Sequence, residues 1–115
     1  MIPFRVRISD AATARCRYIK SRTGLTPNIL CRVALALSLR ERRPVLSESP
    51  DLSGQELNAP TLFGEHQRIY ELMLEKYCME QADERDMAVV IASHVDNGLH
   101  KMGHIRSLND VASLA

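Results

Sequence analysis

The sequence predicts a mainly α-helical fold that begins with one short β-strand. Residues 4–9 alternate between apolar and polar side chains, which is the period of a half-buried strand. Two helical segments follow, separated by a turn that contains glycine, and two further amphipathic helices occupy the second half of the chain. The 115 residues suffice for one domain. We therefore expect a single domain with a basic strand–helix–helix unit at 1–43, a connector at 44–64 and an acidic helical part at 65–115.

The predicted strand has the sequence Phe-Arg-Val-Arg-Ile-Ser. Successive side chains of a strand point to opposite faces, so this segment has one apolar face and one polar face. The apolar residues are expected to face inward: Phe4, Val6 and Ile8. The polar residues are expected to face outward: Arg5, Arg7 and Ser9. Pro3 cannot donate a hydrogen bond to a neighbouring strand, so the strand is expected to be short.

The first predicted helix covers residues 10–23. Ser9 or Asp10 can serve as its N-cap, because both side chains accept hydrogen bonds from the first free amides of a helix. Gly24 supplies the positive φ angle at which many helices end. The apolar side chains that recur at helical spacing are expected to be buried: Ala12, Cys16 and Ile19.

The second predicted helix covers residues 27–42 and is apolar around nearly its whole circumference. Thr26 is a good N-cap, Pro27 suits the first helical position, and Pro44 stops the helix. Nine apolar residues lie between Ile29 and Leu39. A helix of this kind must be buried on all sides. Since a short chain with 4% aromatic residues can rarely surround such a helix alone, we expect a partner subunit to complete its burial.

The connector at 44–64 is rich in Pro, Ser and Gly but too apolar for a free linker. We expect it to lie across the surface, with one short turn where Ser53 and Glu56 match a capping box. Its apolar residues are Val45, Leu46, Leu52, Leu57, Leu62 and Phe63.

Two more helices are predicted after the connector. The third covers 65–80, and its apolar residues favour burial against two neighbours: Ile69, Tyr70, Leu72, Met73, Leu74 and Tyr77. The fourth is expected to begin at an Asp83 cap and to end at Gly98 or Gly103. Its apolar residues recur at intervals of three and four: Met87, Ala88, Ile91, Val95, Leu99 and Met102. A last short turn is expected within 108–115.

The charge distribution is strongly asymmetric. Residues 1–43 hold ten of the fifteen basic residues but only two acidic ones, Asp10 and Glu41. From residue 44 to the end, five basic residues face twelve acidic ones, so the overall charge of +1 hides two oppositely charged halves. Such asymmetry indicates a polyanionic partner for the basic half.

Several classes of function are not supported by the sequence. No nucleophile motif or glycine-rich phosphate loop occurs, and His100 and His104 lack a third ligand at metal spacing, so we predict no enzyme, no metal and no cofactor. The scarcity of aromatic residues argues against platforms that stack several bases. No segment resembles a signal peptide or a membrane span. The three cysteines, without a C-x-x-C, suggest reduced core residues in a cytoplasmic protein.

The order of strand, helix, turn and helix in residues 4–43 resembles the ribbon-helix-helix family. The shared features are the alternating segment, the Thr-Gly-Leu-Thr-Pro-Asn turn and the apolar second helix. In that family two strands pair across a dimer, and their outward residues enter the major groove. The resemblance implies this role for Arg5, Arg7 and Ser9. It also implies that the free N–H groups of Thr26 and Asn28, at the start of the second helix, bind a phosphate.

A second resemblance covers nearly the whole chain. The basic first half, the Pro-x-Leu-Ser segment at 44–47 and the Val-Asp-Asn-Gly-Leu segment at 95–99 are similar to the DndE family. Members of that family are small subunits of the bacterial DNA sulfur-modification (phosphorothioation) system. The resemblance implies a cytoplasmic homotetramer that binds DNA, with a preference for nicked duplex. It also implies partner proteins of the same system, which carry out the sulfur chemistry.

The two resemblances differ over the strand. In a tetramer, Arg5 and Arg7 need not be free to enter a groove and can lie in an interface instead. The cations of the first helix are then the favoured candidates for DNA contact: Arg15, Arg17, Lys20 and Arg22. The leading hypothesis is a DNA-binding accessory subunit of the sulfur-modification system. The alternatives are a ribbon-helix-helix transcriptional repressor and a protein–protein adaptor whose basic half docks an acidic partner.

Overall fold

The computed structural model describes residues 2–45 and 50–114. Leu46 and Ser47 of the predicted connector lie outside the described residues. The elements in chain order are β1 (Arg5–Arg7), α1 (Asp10–Thr23), α2 (Pro27–Arg40), β2 (Glu56–Asn58), α3 (Ala59–Phe63), a 3₁₀ turn (Gly64–His66), α4 (Gln67–Gln81), α5 (Met87–Lys101) and α6 (Leu108–Ala112). The predicted mainly α-helical class, with a strand–helix–helix start and two further long helices, is confirmed.

Strand β1 pairs with β2 of the same chain. The pairing is antiparallel, and Val6 lies opposite Leu57 at its centre. Val6 and Ile8 are buried as predicted. Two expectations for this segment are wrong, because Phe4 is 61% exposed and Ser9 is 1% exposed. The regular strand ends at Arg7, so the alternation no longer sets the direction of Ser9, and at the other end Ile2 rather than Phe4 enters the core.

Ser9 is the N-cap of α1, and it is one of the two residues predicted for that position. Its Oγ accepts a hydrogen bond from the Ala12 amide (3.0 Å) and donates one to Asp96 Oδ1 on α5 (2.5 Å). Burial raises the pKa of the Asp96 carboxyl, and the Ser9 hydrogen bond opposes that rise. The helix ends at Gly24, whose φ of 78° is the left-handed conformation expected there. This capping joins the start of α1 to α5.

Helix α2 is covered mainly by its own chain. Helix α5 crosses it so closely that a Cβ atom added at Gly98 would lie 2.0 Å from the carbonyl oxygen of Ala34. Helices α1, α3 and α4 also contact it, yet Ile29 remains 40% exposed. Helix α2 ends at Arg40, two residues earlier than predicted, and Arg42 adopts a positive φ of 54°.

The connector contains structure that the sequence did not indicate. The predicted capping-box turn is wrong, because Glu56 belongs to β2 and the following helix is capped by Asn58, whose Oδ1 accepts from the Thr61 amide at 3.1 Å. The connector was expected to lie across the surface, but much of it is part of the core. Three of its apolar residues are buried: Leu57, Leu62 and Phe63. The connector thus supplies the second strand and the short helix α3.

Helix α4 buries only part of its apolar surface. Leu74 and Tyr77 are buried as expected, but the prediction was wrong for three others, which are exposed in the single chain: Ile69, Leu72 and Met73. Helix α5 begins after Asp86 rather than at an Asp83 cap. Asp83 instead binds the Arg85 guanidinium (2.8 Å). This contact lowers the pKa of the Asp83 carboxyl to about 2.

A polar network lies between α2 and α5. Ser38 Oγ and His94 Nδ1 are 2.6 Å apart, and Asn97 donates to Ser38 Oγ at 2.9 Å and to Glu41 Oε1 at 3.1 Å. His94 is fully buried, its Nε2 atom has no hydrogen-bond partner among the described residues, and its ring packs edge-on against Tyr77. Burial lowers the pKa of His94 from 6.5 to about 4.

Acidification is expected to destabilise the protein through His94. Below pH 6.5 the histidine of the unfolded chain binds a proton, whereas the buried one stays neutral until about pH 4. The free energy of unfolding should therefore fall by about 3 kcal/mol across this window. Urea unfolding at several pH values measures the change. In His94→Gln the decline between pH 6.5 and 4 should be reduced by that amount; an unchanged decline would show that other groups cause it.

Candidate nucleic-acid interface

Four cations of α1 form an exposed basic surface. They are Arg15, Arg17, Lys20 and Arg22, and the side chains of all four are exposed. The helical spacing predicts this for Arg17 and Lys20, which lie opposite the buried stripe, and places Arg15 and Arg22 at its flanks. Within residues 2–45 and 50–114, none of them forms a salt bridge or a side-chain hydrogen bond. Their charges are therefore available to an external anion. We call these four residues the α1 cations.

Strand β1 presents its arginines differently. Arg5 and Arg7 are exposed, but both lie 3.7 Å from carboxylate oxygens of Glu56 on the paired strand. Arg7 also donates to the Gly54 carbonyl at 3.1 Å. Exposed pairs of this kind are weak, so they reduce the local positive charge without removing it. Ser9, the third residue expected on this face, is buried by its bond to Asp96 and cannot contact a ligand there.

Three residues separate the end of α1 from the start of α2. The Thr26 side chain, which is exposed, makes no capping hydrogen bond, so the first amides of α2 are not satisfied by it. Asn28 is half-buried, and its Oδ1 is buried without a hydrogen-bond partner among the described residues. Lys20 and Arg22, in the last turn of α1, are close in the chain to these amides. A phosphate at this position can bind the Lys20 and Arg22 side chains together with the first amides of α2, since free amides at a helix start attract anions.

The other arginines of the basic half divide into structural and exposed ones. Arg32 is structural, because its guanidinium donates to the carbonyls of Leu62 (2.7 Å) and Thr61 (3.1 Å) and so joins α2 to α3. Arg43 pairs with Glu41 at 3.0 Å. Arg40 and Arg42 are exposed at the far end of α2. The net charge of the first 43 residues therefore overstates the charge at the surface, and α1 holds its densest part.

Sequence reasoning missed two residues beside the α1 cations. The Arg106 guanidinium lies over the Tyr18 ring, 5.5 Å from its centroid. Tyr18 is 47% exposed and lines a groove between α1 and the end of α5. Arg106 belongs to the acidic half of the sequence, and only the fold brings it to α1. A cation near a tyrosine cannot be predicted from composition when the two lie on separate elements.

Other chemistry finds little support in the geometry. In the described parts of the chain, no three His, Cys, Asp or Glu side chains come close enough together to hold a metal ion. Cys16 and Cys31 are buried, with sulfur atoms 3.8 Å apart, and the hydrogen bond with the Cys16 thiol, together with burial, raises the pKa of Cys31. Among the described helices, none is both long and apolar enough to cross a membrane.

Comparisons with known proteins identify the family. The family model described as DNA sulphur modification protein DndE matches residues 5–110. A crystal structure of DndE from Escherichia coli B7A, involved in DNA phosphorothioation modification, has a TM-score of 0.75 and 28% identity, covering 89% of this chain and 98% of that one. A crystal structure of a DndE mutant involved in DNA phosphorothioation has a TM-score of 0.72 and 26% identity, covering 89% and 99% of the two chains. No curated protein sequence matches this chain. The chain belongs to the DndE family, as the resemblance of its sequence predicted.

Proposed function

We propose that this chain binds duplex DNA through phosphate contacts, with a preference for nicked duplex, as an accessory subunit of DNA phosphorothioation. The observation that carries the proposal is the exposed group of four α1 cations, which have no salt-bridge partner in the described structure. Arginine and lysine side chains free of internal partners are the groups that neutralise DNA phosphates. Family membership places the chain in the sulfur-modification system, whose other proteins are its proposed partners.

Self-association would give this surface useful affinity. One subunit offers only a few phosphate contacts, whereas a homotetramer offers about eight to ten, a number typical of tight but salt-sensitive DNA binding. Exposed apolar side chains support the assembly: Ile29 on α2, and Ile69, Leu72 and Met73 on α4. The three α4 residues are spaced by three and four and so lie on one face of the helix, and a contiguous exposed apolar face is typical of a surface that binds another protein.

A preference for nicked DNA follows from bending. Smooth bending of an intact duplex by a rigid protein surface costs several kcal/mol, roughly 1–6 for a short site. A nick interrupts stacking on one strand and lowers that cost. A rigid assembly of basic helices would then bind nicked duplex more tightly without reading any base.

Mobility-shift assays distinguish the proposal from its alternatives. The proposal expects similar affinity for nicked duplexes of unrelated sequence, and weaker binding to the same duplexes when ligated. A strong preference for one palindromic operator would instead indicate a ribbon-helix-helix repressor. The absence of binding even at low salt would exclude both, leaving a protein–protein adaptor.

Removing three of the α1 cations is expected to weaken DNA binding. In Arg17→Ala/Lys20→Ala/Arg22→Ala the affinity for nicked duplex at 0.1 M salt should fall at least about tenfold, because each lost phosphate contact removes counterion release. The assembly should stay intact, since none of the three belongs to the exposed apolar side chains that support it. Fluorescence anisotropy measures the affinity, and light scattering measures the mass.

The matched control removes the same charge elsewhere. Arg40, Arg68 and Lys76 are exposed on α2 and α4, and Arg68 pairs with Glu71. Replacing them with Ala should leave the mass in light scattering unchanged and should change the affinity less than the α1 variant does. Equal losses in the two triple variants would show that only net charge matters, and an unchanged affinity in the α1 variant would exclude α1 as the DNA site.

A further inference from the structure

We propose that the groove between α1 and the end of α5 binds one unstacked nucleotide, with the base beside Tyr18 and its phosphate between Arg15 and Arg106. This inference rests on the proposed DNA binding and adds a base-dependent contact to it. A single exposed tyrosine is no platform for several bases, but it is enough for one.

The groove has the size and lining of a small-ligand site. Its volume is about 310 Å³, and it is lined by Ala14, Arg15, Tyr18, Ile19, Leu99 and Gly103. Ile19 and Leu99 are buried and form an apolar floor, while Tyr18 stands at the side with nearly half of its surface exposed. Pockets for small organic ligands begin at about this volume and combine apolar walls with a few polar groups. This volume is large enough for one aromatic base.

The charges around the groove favour an anion. Arg15 lines the groove and Arg106 lies over the Tyr18 ring, and none of the described residues that line the groove is acidic. Arg106 Nη1 donates to the carbonyls of Gly103 (2.9 Å) and Ile105 (3.1 Å), which fixes the guanidinium in place. Asp110 bonds to the backbone amide of Arg106 rather than to its guanidinium. The remaining donors of this guanidinium are thus available to a phosphate, which arginine binds well.

Gly103 keeps the groove open on the α5 side. A Cβ atom added there would lie 4.0 Å from Arg15 Nη1 and 3.2 Å from the His100 carbonyl oxygen. A side chain at this position would therefore extend beside Arg15, where the proposal places the phosphate.

An unstacked nucleotide matches both the apolar groove beside Tyr18 and the two arginines, Arg15 and Arg106, at its edge. Base–aromatic stacking tolerates any sequence, because every base has a π-face. In an intact duplex the bases are paired and stacked on both sides, so none can enter the groove. A strand end at a nick, or a short flap beside it, exposes a base together with its phosphate. The groove would then favour broken strands by a route separate from bending.

Two flap substrates with equal charge test the proposal. Both are nicked duplexes with a one-nucleotide 5′ flap, but in one the flap nucleotide is abasic. The intact protein should bind the flap that carries a base about tenfold more tightly. Tyr18→Ala should abolish this preference, and Tyr18→Phe should keep it because the ring remains. Arg17→Ala, on the other side of α1, should weaken both complexes equally.

The possible failures are distinguishable. If the protein binds both flaps with equal affinity, the groove inference is wrong while the proposed DNA binding stands. If Tyr18→Ala keeps the preference, the base is recognised elsewhere and the groove inference is again overturned. If neither flap nor the nicked duplex is bound at low salt, the proposed function itself fails and the groove inference fails with it. Circular dichroism confirms that each variant is folded, as expected for an exposed side chain.

Discussion

Affinity for a nicked duplex is expected to fall at least about ten-thousandfold when the salt concentration rises from about 50 to 200 mM. Binding led by the α1 cations gains its free energy from the release of condensed counterions, and log K falls with log salt by roughly 0.9 per phosphate contact. An assembly of four subunits with about eight to ten contacts would show a loss of this size. A single subunit with two or three contacts would lose only about 10- to 40-fold over the same range.

The slope of this salt dependence also tests which cations contact DNA. Arg17→Ala/Lys20→Ala and Arg5→Ala/Arg7→Ala remove the same charge, but Arg5 and Arg7 already share Glu56. The α1 variant should therefore lower the slope more than the β1 variant. Titrations at four or more salt concentrations, followed by anisotropy, provide the slopes. A larger change in the β1 variant would place DNA on the strand and favour the ribbon-helix-helix mode of binding.

The sequence predicted the parts of the fold in which local rules decide the outcome. Ser9 and Gly24 cap the two ends of α1 as expected, because helix capping and left-handed backbone conformations depend on residues that are near in sequence. Exposure of Arg17 and Lys20, opposite the buried Cys16 and Ile19, followed from the 3.6-residue period of a helix. The burial of Val6 and Ile8 followed in the same way from the two-residue period of a strand.

The predictions from sequence fail where contacts between residues distant in sequence determine the structure. Ser9 is buried because Asp96, 87 residues away, accepts its hydrogen bond. Strand β2 has only three residues and too short a pattern for detection. The helix α4 ends at Ala82 in a left-handed conformation that usually indicates glycine. Arg106 reaches Tyr18 only after α1 and α5 have packed together. The charged surface could thus be predicted from the sequence, whereas the groove beside it could not.

Gly98→Ala is expected to destabilise the protein by about 3 kcal/mol, at the upper end of the range for overpacked cores. At an exposed position inside a helix the same change would stabilise by about 1 kcal/mol, because alanine is the better helix former. Here the new Cβ atom would lie 2.0 Å from the Ala34 carbonyl oxygen, so the backbones of α2 and α5 must separate. The urea midpoint should fall while the m-value stays constant.

Gly103→Ala provides the comparison, since its Cβ atom would meet only the His100 carbonyl oxygen, at 3.2 Å, and the distant Arg15 tip. It should cost less than about 1 kcal/mol. The contrast gives a physical reason for the Val-Asp-Asn-Gly-Leu segment by which the sequence resembles its family. Asn97 bonds to Ser38 and Glu41 on one side of the crossing, and Gly98 admits α2 on the other. If both glycine variants unfold at the same urea concentration, this close crossing does not determine the stability of the fold.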